Sequence, residues 1–188
     1  MFFDKSHLVA LGGNMPSAKG ESVETLRAAL DRIASSGCEL LAVSRFYRTP
    51  CFPPGAGPDY VNAAARIACD AAPEAVLNLL HRVEAEFGRE RVKRWGQRTL
   101  DLDLIGAGDA VLPDAATYQA WHDLAPDAQQ SEAPDRLILP HPRMHERAFV
   151  LVPLADVAPE WRHPVLGRTV VEMRDALPDD ALSEVVAL

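Results

Sequence analysis

Arg98-Thr99-Leu100-Asp101-Leu102-Asp103-Leu104 alternates leucine with polar residues, and a period of two marks a β-strand whose successive side chains point to opposite faces. The leucines then form a core-facing row, and Asp101 and Asp103 share the other face. This strand, over Thr99 to Ile105, closes an order of elements that the residues before it set up. His7 to Leu11 reads as a buried strand ended by Gly12-Gly13-Asn14, which suit a turn. From Ser22 to Ala34 the apolar residues Val23, Leu26, Ala29, Leu30 and Ile33 recur at helical spacing, with Gly37 as the stop. Leu40 to Tyr47 reads as a second strand and Tyr60 to Ala68 as a third. Between them the prolines and glycines of Thr49 to Asp59 enforce a loop. Pro73 opens a helix carrying Ala75, Val76, Leu79, Val83 and Phe87, closed by Gly88. Strand, helix, strand, strand, helix, strand is the order of an α+β, ferredoxin-like antiparallel sheet with helices packed on one face.

Beyond that unit, residues 107 to 135 are polar and contain Pro113, Pro126 and Pro134, so they read as a surface excursion, partly helical around Tyr118 to Leu124. A C-terminal extension follows: Leu137-Ile138-Leu139, a turn at Pro140 and Pro142, a helical turn from Arg147 to Leu154, and a terminal helix near Val170 to Ala176. A length of 188 residues suits one domain over 1–188.

The charge balance of −8 argues against binding nucleic acid across a broad surface. The N-terminal apolar run is too short for a signal peptide, and no stretch of about 18 apolar residues offers a membrane span, so the expectation is a cytoplasmic protein without membrane contact. Cys38, Cys51 and Cys69 are odd in number, far apart and free of any C-x-x-C pattern, which points to buried thiols without a role. Against the acidic background stands one basic segment: Arg89, Arg91, Lys93, Arg94 and Arg98 occur within ten residues beside the single acid Glu90.

Two carboxylates on adjacent same-face positions repel each other unless a cation lies between them. Leu-Asp-Leu-Asp-Leu alone fits either a solvated strand face or ligands for a hard cation such as Mg²⁺. The basic run just upstream favours the second, because a metal-bridged triphosphate needs positive charge on its far side. His141 and His145 are four apart, but Pro140 and Pro142 argue against the helix that a zinc pair would need. Gly12-Gly13-Asn14 lacks the spacing of a phosphate loop and reads as a turn.

Taken together, Leu8 to Asn14 (LVALGGN), Ser44 to Pro50 (SRFYRTP), Pro58 to Ala64 (PDYVNAA), Arg94 to Leu104 (RWGQRTLDLDL) and Leu139 to Phe149 (LPHPRMHERAF) resemble the 6-hydroxymethyl-7,8-dihydropterin pyrophosphokinase family, in order and over nearly the whole chain. The resemblance implies a transferase that moves diphosphate from ATP to the hydroxymethyl group of 6-hydroxymethyl-7,8-dihydropterin in folate biosynthesis, releasing AMP, with two Mg²⁺ and as a monomer. It implies that Asp101 and Asp103 hold the metal, and that Arg89 and Arg91 lie in a loop closing over ATP. Trp95 would seal that loop, and Arg98 would reach the phosphates or the pterin. It implies a pterin held between Tyr60 and Phe149, with Asn62 and the backbone around Thr49, Pro50 and Phe52 reading its edge. His81, Glu84, Arg91, Arg98, Arg136, His141 and Arg147 fall where the family binds ATP. The chain departs from the family pattern with His81 for an amide, Pro142 for an aromatic, Gly13 for serine and Gln97 for proline.

Two other classes fit parts of the sequence. An RNA-binding module on the same fold calls for exposed aromatics and a basic surface, whereas aromatics are 6% of the residues and the net charge is −8. A kinase that releases ADP differs only in its product.

Overall fold

The computed structural model describes residues 5–51, 57–88, 98–125, 128 and 132–188. Strand β1 (Ser6–Gly13), helix α1 (Ser22–Ala34), strands β2 (Cys38–Val43), β3 (Tyr47–Thr49) and β4 (Tyr60–Cys69), helix α2 (Pro73–Glu86) and strand β5 (Asp101–Ala107) follow one another along the chain. Every pairing is antiparallel: β1 lies between β5 and β4, and β2 and β3 share the outer edge of β4. With β2 and β3 counted as one interrupted strand, the sheet runs fourth, first, third, second, as the split β-α-β order requires.

The interruption has a local cause. The register shifts between Leu40 and Ala42, and the Ser44 hydroxyl then takes a carbonyl's place by accepting from Ala64 N at 2.8 Å. The ladder resumes at Tyr47, opposite Asn62. At the other end of the sheet β1 runs on through Gly12 and Gly13 instead of turning there. A Cβ on Gly13 would sit 2.5 Å from the Thr99 carbonyl oxygen, so glycine is what lets the strand end lie against the segment entering β5.

One cysteine expectation is corrected. The β2–β4 register places Cys38 directly opposite Cys69; their Cα atoms are 4.6 Å apart and the sulfurs are bonded, while Cys51 is a free, buried thiol.

The strands bury both faces. On one, Val9, Leu11, Ala63, Ala65, Ile67, Leu102 and Leu104 pack against Leu26, Leu30 and Ile33 of α1 and Val76, Leu80 and Val83 of α2. On the other, Leu8, Ala64 and Ile105 meet Val150, Leu151 and Leu154 of helix α4 (Ala148–Val157) and Met173 of helix α5 (Val170–Asp175). Two short elements without a counterpart in the sequence reading finish the chain. Helix α6 (Asp179–Ser183) leads to strand β6 (Val186–Ala187), which pairs with β3.

Helix α3 (Ala115–His122) lies within the excursion and begins earlier than its apolar residues suggest, because the Asp114 carboxylate accepts from Thr117 N at 2.9 Å. It is tied down by the buried Tyr118, whose hydroxyl meets His163 Nε2 at 3.2 Å. Among the described residues no helix is long and apolar enough to cross a membrane.

Candidate active site

The second face of the sheet tapers in side-chain size toward one end. Along β1 the residues on this face are Leu8, Ala10 and Gly12; β1 pairs Ala10 with Asp103 and Gly12 with Asp101. Shrinking side chains on β1 leave a cleft that α4 does not fill, lined by Ala10, Gly12, Asn62, Asp101, Asp103, Phe149 and Val150. The two carboxylates therefore share one face and one cleft, half-buried, while Leu102 and Leu104 are buried in the core beneath.

The strand that carries them is braced. Glu84 on α2 is 1% exposed, and its Oε1 accepts the amide hydrogen of Leu102, the residue between the aspartates, at 2.7 Å. On the near side, Arg98 Nη1 donates to Asp101 Oδ2 at 2.5 Å. The Arg98 backbone is itself held: its N–H donates to Asn14 Oδ1 at 3.0 Å, and its carbonyl accepts from Asn14 N at 2.9 Å and Met15 N at 3.2 Å. Asn14 also donates from Nδ2 to the Pro58 carbonyl at 3.2 Å, joining this corner to the loop that leads into β4.

Along the β3–β4 pair, Asn62 is buried and donates from Nδ2 to Thr49 Oγ1 at 2.7 Å. That bond fixes which way the amide points. Its Oδ1 lies across Gly12, where a Cβ would approach to 3.0 Å. Thr49 pairs with Tyr60 in the same ladder, and Pro50 follows, exposed. Burial raises the Tyr60 phenol above its ordinary value, with the charge of Arg98 opposing and that of Asp101 adding to the effect. Phe149, at the start of α4, is 42% exposed and carries the Arg147 guanidinium 5.8 Å from its ring centre.

The turn before α4 contributes His141 and Arg147. His141 N donates to the Ile105 carbonyl at 2.8 Å, hanging this turn on the end of β5. Burial, then the positive charge of Arg147 and Arg143, pulls the imidazole from its ordinary value down to about 3. Its Nδ1 accepts from Arg143 N at 3.2 Å, so the neutral ring keeps its proton on Nε2. Burial lowers the Arg147 guanidinium, while the charges of Asp103 and Asp101 act in the other direction.

Not every expected residue joins this cluster. Arg136 is exposed and paired with its neighbour Asp135 at 2.9 Å. His81 is half-buried on α2, one turn before Glu84. Glu84 turns its Oε1 to the strand backbone. His145, the other half of the dismissed zinc pair, stacks on His122 of α3 with ring centres 4.7 Å apart, away from His141's role at β5. Arg89, Arg91, Trp95 and Phe52 lie outside the described residues. Asn14 is the site residue that sequence reasoning passed over. Its one signal was an amide placed straight after two glycines at a strand end.

The carboxylate oxygens suit a hard divalent cation that takes one or two protein carboxylates and completes its shell with phosphate and water. Among the described residues no group of three or more histidine, cysteine, aspartate or glutamate side chains forms an all-protein metal site.

A model of the 7,8-dihydro-6-hydroxymethylpterin-pyrophosphokinase (HPPK) family matches residues 8–159. The chain belongs to the HPPK family. It is 37% identical over 167 residues to the 2-amino-4-hydroxy-6-hydroxymethyldihydropteridine pyrophosphokinase of Synechocystis sp., covering 88% of this chain and 73% of that one. Over 174 residues it is 36% identical to the Pseudomonas aeruginosa protein of the same name, covering 93% of each. A solved Plasmodium falciparum HPPK-DHPS superposes with a TM-score of 0.60 at 15% identity, over 90% of this chain and 44% of that one, so this chain spans less than half of that protein. That likeness concerns the fold, an antiparallel sheet with helices.

Proposed function

We propose that the whole chain works as one HPPK domain. It moves the terminal diphosphate of ATP onto the hydroxymethyl oxygen of 6-hydroxymethyl-7,8-dihydropterin, a step of folate biosynthesis. The pterin hydroxyl attacks the β-phosphorus, the bond from that phosphorus to the α-phosphate oxygen breaks, AMP leaves, and the hydroxyl proton passes to solvent or phosphate. The observation that carries the reading is the convergence of Asp101, Asp103, Asn62 and Phe149 on one cleft, with Arg98 donating to Asp101 and the Arg147 guanidinium over the Phe149 ring.

Asp101 and Asp103 would hold two Mg²⁺. Those ions, when bound, offset charge on the triphosphate and polarise the reacting oxygens. The protein's own part is positioning and charge. Thr49 orients the Asn62 amide, whose oxygen accepts from the pterin edge while Tyr60 and Phe149 flank the ring. His141, neutral with its proton on Nε2, donates to a phosphate oxygen, and Arg147 and Arg98 place positive charge beside the aspartates. Arg89 and Arg91 would add positive charge at the ATP phosphates, and Trp95 would take part in binding the pterin. We place the reaction in a monomer and in the cytoplasm, where ATP is at hand.

The test is to incubate the protein with Mg-ATP and the pterin and separate the products. AMP should form in equal amount with the pterin diphosphate, and Asp101→Asn or Asp103→Asn should slow it by about 100-fold or more. Release of ADP would assign the chain to another kinase class, and full activity of either variant would remove the aspartates from the chemistry.

A further inference from the structure

Along β4 the cleft residue Asn62 stands near the start and Cys69 is the last residue. At that far end a cavity of about 260 Å³ opens between the turn after α1 and the first half of α2. The Cys38–Cys69 bond is part of its wall: both cysteines line it, and both belong to the core packed with Val76 and Leu79 of α2, which line it too. The cysteines are buried, 7% and 3% exposed, so a large reagent has no approach to the sulfurs, whereas a small one fits the cavity. The volume lies a little under the ~300 Å³ at which sites for small molecules begin, room for a metabolite and not for a protein segment. Gly37, Asp70, Ala75 and Arg82 form an exposed rim. Asp70 is paired with Lys5 at 2.8 Å, and Glu86, one turn beyond Arg82, is taken by Arg32 at 2.7 Å. Among the described residues Arg82 itself has no ion-pair partner. A disulfide in a cytoplasmic protein works among reducing thiols, and those that form there are mostly transient or redox-sensing.

We propose that the Cys38–Cys69 bond is a thiol–disulfide exchange site, and that the cavity beside it admits a small thiol carrying carboxylate groups. The thiolate attacks one sulfur, the S–S bond breaks as the new one forms, and the other cysteine leaves as a thiolate that takes a proton from water. A second molecule of the thiol attacks the mixed disulfide. The protein is left with two thiols, the two small thiols are oxidised to their own disulfide, and two electrons and two protons have moved from them to the protein. Arg82 draws the anionic thiol to the rim. Exchange opens or closes the link between β2 and β4, while Glu39 opposite Ala68 and Leu40 opposite Ile67 keep the ladder paired. None of these steps depends on the transfer chemistry proposed above.

The test reads the sulfurs and not turnover. Folded protein is incubated with glutathione, quenched in acid, alkylated under denaturing conditions and mapped by mass spectrometry without reduction; cysteamine, a small cationic thiol, is the comparison. Glutathione adducts and alkyl labels should appear on Cys38 and Cys69. Arg82→Gln should slow opening by glutathione about threefold, the size of one exposed charge contact, and should not slow opening by cysteamine. Ala75→Trp, which fills the mouth from an exposed position, should slow both thiols about tenfold by closing access, with circular dichroism to confirm its fold. No opening in the folded protein, at glutathione concentrations that open the bond in urea, would overturn the proposal. Equal rates for folded Ala75→Trp and the unmodified protein would do the same, since the bond would then be reached by unfolding and not through the cavity. Equal effects of Arg82→Gln on both thiols would overturn the anionic thiol, and this arm stands even where Ala75→Trp does not fold.

Discussion

Glu84 Oε1 accepts the amide hydrogen of Leu102 at 2.7 Å, and Leu102 is the residue between the two aspartates of the cleft. A buried carboxylate on a helix thus sets the position of the strand segment that aims Asp101 and Asp103. Glu84→Ala leaves that amide buried without its acceptor, at a cost of about 1–3 kcal/mol. Glu84→Gln keeps an acceptor oxygen and should lose less. Urea denaturation checks this: a midpoint for Glu84→Ala equal to that of the unmodified protein would show that the contact does not brace the strand.

The Thr49–Asn62 pair makes a separate prediction. Thr49→Val keeps the volume but removes the hydroxyl that accepts from Asn62 Nδ2, and an amide free to rotate presents the wrong atom to a pterin. The KM for the pterin should rise about tenfold, the equivalent of roughly one buried hydrogen bond, with the KM for ATP nearly unchanged. Thr49→Ser should restore it. Equal effects on both substrates would move Asn62 out of pterin recognition.

The Cys38–Cys69 bond predicts a labelling pattern. Alkylation of unfolded, unreduced protein should modify Cys51 alone, and prior reduction should raise the count to all three cysteines. Cys38→Ser with Cys69→Ser should destabilise by about 2–4 kcal/mol, because the cross-link limits the unfolded chain. Three labels before reduction would show two thiols instead of a bond.

Acid sensitivity should begin above the carboxylate range. Burial, reinforced by His145 and His122, lowers the His163 imidazole from near 6.5 to about 4. Its Nδ1 accepts from Val165 N and Leu166 N at 3.2 and 3.1 Å, a bond pair that a protonated ring cannot make. The unfolded chain takes up this proton first as pH drops. Stability is therefore full above about 6.5 and is lost between 6.5 and 4, by up to about 1.4 kcal/mol per pH unit for one such group. The thermal midpoint should fall across that window, and His163→Asn, which keeps an acceptor, should flatten the slope. A midpoint unchanged from pH 7 to 5 would contradict the assignment.

Much of this was readable from the chain because local rules and tertiary structure agree there. Pro73, the 3.6-residue spacing and Gly88 bracket α2, and the leucine–aspartate alternation put both aspartates on one face of β5. What was missed depends on which strand lies beside which. The Cys38–Cys69 bond needs the β2–β4 register, including its shift at Leu40. The role of Asn14 needs the approach of Gly13 to Thr99. Glu84 reads as a helix-surface acid until β5 is seen to bring Leu102 N–H to it. The second buried face followed from no period in the strands, because Leu8, Ala64 and Ile105 are covered by helices from far along the chain.

The most direct trial is a crystal of the protein with a non-hydrolysable ATP analogue, the pterin and Mn²⁺, read by anomalous scattering. The metal peaks should fall against the carboxylates of Asp101 and Asp103, between them and the phosphates. Peaks elsewhere, with both side chains turned to bulk water, would contradict the site.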